Sequence, residues 1–263
     1  MCFSLSAQKI IDLSGKWSFS IDRQDNGEKE KWFSHTLNDC INLPGSMPEK
    51  LKGDEVTAKT QWTGSLYDSS YYYNPYMEKY RKEGNIKFPF FLTPDKHYVG
   101  AAWYQKEVNI PADWKGERIL LFLERPHIET TVWVNGQKTG MQNSLCVPHQ
   151  YDITRYVRPG KCTITIRVDN RIKEINVGPD SHSITDQTQG NWNGIVGRIC
   201  LQTTPKTYFD DIQIYPEPEQ KLARVKVVIK GAGITKIKLS AESFNTDKKH
   251  IVPAIQQEIK LNK

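Results

Sequence analysis

The sequence predicts an all-β protein built from two sandwich units, and three observations carry that reading. Helical periodicity is nearly absent. Short alternating runs rich in β-branched and aromatic residues recur along the chain, and Gly, Pro and Asn-Gly signals separate them. Trp17, Phe19 and Ile21 alternate along an opening strand, and Trp103 to Ile110 gives another that stops at Pro111. Ile119 to Leu123 is continuously apolar, which predicts a strand buried on both faces. Thr130 to Val134 runs into Asn135-Gly136, the dipeptide whose tolerance of positive φ closes a tight hairpin. Asp152-Ile153-Thr154 begins a short capped turn before Pro159-Gly160, and the strand Thr163 to Val168 comes next, with Ile164, Ile166 and Val168 pointing inward. Arg198 to Gln202 ends the unit near Pro205. About eight strands between residues 10 and 205 then make a jelly-roll β-sandwich.

From Tyr208 the pattern restarts with Ile212 and Ile214, Val225 to Ile229, Ile237 to Leu239, and Ile251 to Ile259 after a polar turn over Asn245 to Lys249. This spacing fits an immunoglobulin-like sandwich, yet 58 residues come after Pro205, against the roughly 100 such a domain needs. The expectation for 206–263 is therefore an incomplete immunoglobulin-like unit. Residues 56–98 break the alternation. There Trp62, Tyr67, Tyr71, Tyr72, Tyr73, Tyr76 and Tyr80 stand among Gly, Ser, Asn and Pro, as in an inserted loop. Two readings of it stay open: an aromatic binding surface, or a hydrophobic lid in which Lys87 to Phe91 folds back over the sheet.

The net charge of +6 is spread over Lys and Arg interleaved with Asp and Glu, which argues against a nucleic-acid partner. Even Arg224 to Lys230 alternates with Val225, Val227 and Ile229, the signature of one solvated strand face. No run approaches the roughly 20 apolar residues of a membrane span. The five cysteines lack both zinc-site spacing and the density of a disulfide scaffold, so no metal or cofactor is expected. Residues 1–9 read as a leader remnant or an unstructured start. Cys2 to Ala7 before Gln8 is similar to the tail of a signal peptide, which predicts a periplasmic or secreted protein.

Five patterns occur in one order: Leu13-Ser14-Gly15-Lys16-Trp17, Leu43-Pro44-Gly45-Ser46-Met47, Trp103-Tyr104-Gln105-Lys106, Val132-Trp133-Val134-Asn135-Gly136 and Arg167-Val168-Asp169-Asn170, with Asn191 to Arg198 closing the series. Together they resemble the sugar-binding domain of glycoside hydrolase family 2, the β-galactosidase and β-glucuronidase family, across nearly all of residues 10–205. The stretch 206–263 resembles the start of that family's immunoglobulin-like domain. The resemblance implies a retaining exo-glycosidase parent, β-galactosidase-like, in which the jelly roll buttresses a catalytic barrel and lends residues to its pocket. In the family an Asp-Gln pair before the closing Gly-Ile motif contacts the terminal sugar. Asp186-Gln187 occupies the matching place, and Asn191, Trp192 and Asn193 are candidates for a polar and aromatic rim around the carbohydrate. Ser46 stands where some members carry an Asn that touches the sugar or its metal, so no metal site is carried over.

The residues themselves give the same division of labour. Retaining hydrolysis needs two carboxyls about 5–5.5 Å apart, and none of Glu124, Glu129 and Asp169, all near predicted strand ends, stands out as such a pair. A (β/α)₈ barrel takes about 250 residues, more than the first unit leaves over. The expectation is a non-catalytic accessory module whose partners are carbohydrate and a catalytic barrel domain. The alternatives are an autonomous carbohydrate-binding protein that uses the 56–98 insertion and a scaffold for oligomer assembly. His149 and His182 read as hydrogen-bonding loop residues, and a Ser181, His182, Asp186 triad lacks a nucleophile elbow.

Overall fold

The computed structural model describes residues 9–64, 68–89, 92–173, 190–243 and 250–261. The alternating runs become strands in chain order: β1 (Ile10–Asp12), β2 (Gly15–Asp22), β3 (Asp39–Leu43), β4 (Gly45–Ser46), β5 (Asp54–Glu55), β6 (Lys96–His97), β7 (Ala101–Ile110), β8 (Arg118–Pro126), β9 (Glu129–Val134), β10 (Gln137–Asn143), β11 (His149–Asp152), β12 (Gly160–Asp169) and β13 (Gly194–Thr204). A five-stranded sheet has the order β1-β13-β8-β11 with β4 added to β13, and a six-stranded sheet the order β10-β9-β12-β7-β2-β3. Among the described residues the two sheets hold eleven strands against the eight expected. The surplus comes from pieces such as β1 and β4, which are too short for their alternation to register.

The apolar side chains of both sheets meet in one core: Trp17, Phe19 and Tyr104 from one, Leu121, Leu123 and Leu201 from the other, each no more than 1 % exposed. Ile164, Ile166 and Val168 point inward as expected, and Ile119 to Leu123 is buried throughout. The outer side of Phe122 is covered by the Arg198 guanidinium, 4.6 Å from the ring centroid. Asn135 and Gly136, at φ 49° and 76°, form the hairpin turn between β9 and β10. A second cluster stacks Trp103 on Trp133 at 4.9 Å, with Trp32, Phe33 and Leu37 beside them. Trp103 Nε1 donates to Asp22 Oδ2 (2.9 Å), and the Gly27 amide donates to the same oxygen (2.9 Å). A Cβ on Gly27 would lie 2.5 Å from Trp103 Nε1, so only glycine fits this approach.

The insertion packs upon itself. Short helix α1 (Ser70–Tyr73) places Tyr71 against Phe88 (4.5 Å, stacked), and Phe88 meets the edge of Trp62 at 5.0 Å. Val56, Met77, Tyr80 and Ile86 complete this small core, while Tyr73 and Tyr76 remain exposed. Phe88 is therefore part of the insertion's own interior; Tyr67, Phe90 and Phe91 lie outside the described residues.

Contacts divide the chain after Thr203. The later unit consists of two antiparallel hairpins, β14 (Tyr208–Glu217) with β15 (Leu222–Lys230) and β16 (Gly233–Ser243) with β17 (His250–Leu261). Val225, Val227 and Ile229 are half-buried on one face of β15 while Arg224, Lys226 and Lys230 are exposed on the other. The turn over Asn245 to Lys249 lies outside the described residues. The fold is all-β, a jelly-roll sandwich followed by part of an immunoglobulin-like one. Among the described residues no helix is long and apolar enough to cross a membrane.

Candidate functional site

Three asparagines knit the start of β13 to the ends of β7 and β12. Asn193 is fully buried: its Nδ2 donates to the carbonyls of Gly100 and Val168 (2.9 Å each), and its Oδ1 accepts from Tyr104 Oη (2.7 Å). Asn170 Oδ1 accepts from the Gly100 amide (2.8 Å), while its Nδ2 donates to Tyr98 O (2.9 Å) and Asn191 Oδ1 (3.0 Å). Asn191 Nδ2 donates to Asn170 O and to Thr63 Oγ1, 3.0 Å each. Strand ends expose carbonyls that no ladder partner reaches, and a side-chain amide inserted among them satisfies several at once. Gly194 comes next at φ 144°, where a Cβ would lie 2.5 Å from Gly45 O. The backbone of β13 can approach β4 this closely only through glycine.

Between the asparagines, Trp192 is partly exposed and stacks on His127 at 4.5 Å and 18°. His127 is 7 % exposed, and its Nε2 is buried with no hydrogen-bond partner among the described residues. Burial draws the imidazole pKa down to about 4, against a smaller opposing effect of the Asn191 side chain. His127 is thus a neutral platform for the Trp192 ring.

Beside this lies an ion cluster. Asp169, with no exposure, faces Arg167 (3.0 Å), Arg171 (2.5 Å) and Lys173 (2.9 Å). Glu129, its cross-strand neighbour, accepts from Lys173 (2.8 Å), and Asp25 bridges Arg167 and Arg171 at 2.6 Å each. Burial pushes the Asp169 carboxyl up, but the hydrogen bonds from Arg171 and Lys173 and the Arg167 charge outweigh it and hold the group well below the usual carboxylate range. Three acids and three bases are mutually neutralised here. Glu124 is also engaged: its Oε2 accepts from the Arg198 amide (2.9 Å). The three carboxylates noted at strand ends all serve local structure.

Of the expected site residues, the fold brings Asn191, Trp192 and Asn193 together at the entry to β13. Asn191 and Asn193 are buried with their amides bonded to protein, and Trp192 alone offers surface. Asp186 and Gln187 lie outside the described residues, as do Ser181 and His182. His149 is a buried strand residue, its Nδ1 2.6 Å from Thr130 Oγ1. Ser46 Oγ accepts from the Glu49 amide at 3.4 Å. Among the described residues no group of three His, Cys, Asp or Glu is arranged to hold a metal ion. Sequence reasoning missed His127 and Tyr104, because neither pattern nor spacing distinguishes them from ordinary strand residues.

With this geometry in hand, comparison with known proteins decides the family. The model described as "Glycosyl hydrolases family 2, sugar binding domain" matches residues 10–205. The chain belongs to glycosyl hydrolase family 2. Curated family relatives include the β-glucuronidase of Homo sapiens, 24% identical over 89% of this chain and 35% of its own length, and that of Paenibacillus borealis, 27% identical over 79% and 31%. The chain thus spans about a third of the length of these relatives. Among solved structures, a β-glucuronidase from an uncultured Clostridium sp. superposes with a TM-score of 0.59 at 19% identity, covering 100% of this chain and 41% of that one. The β-glucuronidase of Ruminococcus gnavus gives 0.59 at 16% identity, with 98% and 39% covered. These likenesses establish the shared fold.

Proposed function

We propose that this chain is the sugar-binding module of a family 2 exo-glycosidase that acts on β-glucuronides, and that the hydrolytic step belongs to a catalytic barrel domain working with it. The observation that carries the reading is the commitment of Asp169, Glu129 and Glu124 to arginine, lysine and backbone partners, while Trp192 of the Asn191-Trp192-Asn193 segment stays partly exposed. A nucleophile and an acid/base must be free to change charge during the reaction. Carboxylates fixed in ion pairs hold a scaffold instead. In this reading Asp186 and Gln187 supply a carboxylate and an amide for sugar hydroxyls, and Trp192 supplies an apolar surface. Relatives that bear the name β-glucuronidase favour a glucuronide over the galactoside expected from sequence. The leader-like Cys2 to Ala7 supports a periplasmic or secreted setting.

The test is to incubate the purified chain with aryl β-D-glucuronide and aryl β-D-galactoside. No turnover above the buffer rate is expected. Turnover of either glycoside that disappears in Glu124→Gln, Glu129→Gln or Asp169→Asn would contradict the reading.

A further inference from the structure

The later unit consists of two hairpins that no third strand joins among the described residues. A two-stranded sheet is marginal by itself; a third strand and a covered apolar face give it stability of its own. Here the apolar faces are incompletely covered. Residues of β15, β16 and β17 line a cavity of about 390 Å³ whose walls are almost wholly aliphatic, among them Val225, Val227, Ile229, Leu239 and Ile255. Ile255 is still 66 % exposed. We infer that the free edge of β15 takes up an extended peptide of alternating apolar and acidic residues as a third strand, with the apolar side chains on the side of this cavity.

Of the four strands, β15 alone contains neither proline nor glycine. Pro216 in β14 and Pro253 in β17 lack the N–H that a further ladder needs, and Gly233 weakens the start of β16. One side of β15 pairs with β14, and the other presents the row of backbone donors and acceptors that an edge strand offers to a partner. The residue order sets the chemistry of that partner. Val225, Val227 and Ile229 face the cavity, so a strand laid beside them needs apolar residues at every second position. On the opposite face Arg224 and Lys230 already pair with Glu217 (3.0 Å) and Asp210 (2.9 Å). Lys226 stands across from Gln213, exposed and with no acidic partner among the described residues. A carboxylate directly opposite Lys226 on the incoming strand supplies one. The same charges exclude a second copy of this chain. Each antiparallel register in which β15 closely overlaps its own copy sets two cations opposite each other: Lys226 with itself, Arg224 with Lys226, or Arg224 with Lys230. Like charges so placed are destabilising, and lysine on an open edge guards against self-pairing.

The full chain is titrated with a blocked synthetic peptide as long as β15, in which valine alternates with glutamate and threonine, and with the same peptide carrying lysine for glutamate; backbone amide shifts are followed by NMR. Saturable binding of the glutamate peptide is expected, with shifts centred on residues 222–230, and the lysine peptide should bind about fivefold or more weakly. Lys226→Glu changes an exposed position and leaves the apolar face of the hairpin intact, and it should reverse that preference. Four results would overturn the assignment: no saturable shift with the glutamate peptide, shifts centred elsewhere in the native protein, a charge preference that Lys226→Glu does not reverse, or a peptide-free dimer in light scattering whose amide shifts on dilution fall on β15.

Discussion

Two polar regions of the jelly-roll unit differ in how completely they are satisfied. Around Asp169 and Asn193, buried charges and amides find their partners within the protein, and little is left over for a ligand. Around Arg23 and Asp54 the pair is half-exposed and uses one face of each group. A polar group that has been desolvated and fully paired contributes to the scaffold, because breaking it exposes the cost of burial. A pair still largely solvated keeps water on its free bonding directions, so breaking it costs little. The difference predicts large stability effects in the first region and small ones in the second.

The largest expected effect is Asp169→Asn. It removes the charge that compensates the buried Arg167, and a broken buried pair costs about 3–5 kcal/mol. Urea unfolding of the variant should show that loss at neutral pH. The stabilisation from this carboxylate is present above the ordinary carboxyl range and is lost only as pH falls through its lower folded value.

His127 acts in a different pH window. Its folded pKa of about 4 lies below the 6.5 of a free imidazole, so between those values the unfolded chain takes up a proton that the folded one refuses. Stability therefore falls as pH drops from 6.5 to 4, by at most about 3 kcal/mol. Urea midpoints across that range should converge between the native protein at low pH and His127→Gln, which lacks the titration. Parallel curves would show that the imidazole stays protonated in the fold.

Asn193→Ala strands the Tyr104 hydroxyl and two carbonyls, for a cost of about 2–3 kcal/mol, readable as a lower thermal midpoint. The smallest stability effect belongs to Asp54→Asn, an exposed pair worth less than about 1 kcal/mol.

The sequence made the long elements of this fold legible. Ile119 to Leu123 needed no partner information to read as doubly buried, and Asn135-Gly136 specifies its turn by local backbone preference alone. The short strands were not legible, since two or three residues of β1 and β4 carry no period. The insertion's aromatics were visible as composition only; whether Trp62, Tyr71 and Phe88 face solvent or one another is a tertiary property. The same limit applies at the candidate site. Asn191 and Asn193 read as a polar rim because asparagine is usually exposed, and the strand-end carbonyls that their amides bond come from residues 100, 168 and 170. The Arg23 and Asp54 pair joins positions 31 apart in the chain, whose types are unremarkable in sequence.

The most direct test of the contrast measures thermal stability in parallel on Asp169→Asn and Asp54→Asn. The first should melt well below the native protein, and the second should keep its midpoint. A stable Asp169→Asn variant, or an Asp54→Asn variant that melts as low, would contradict the division between buried and solvated ion pairs.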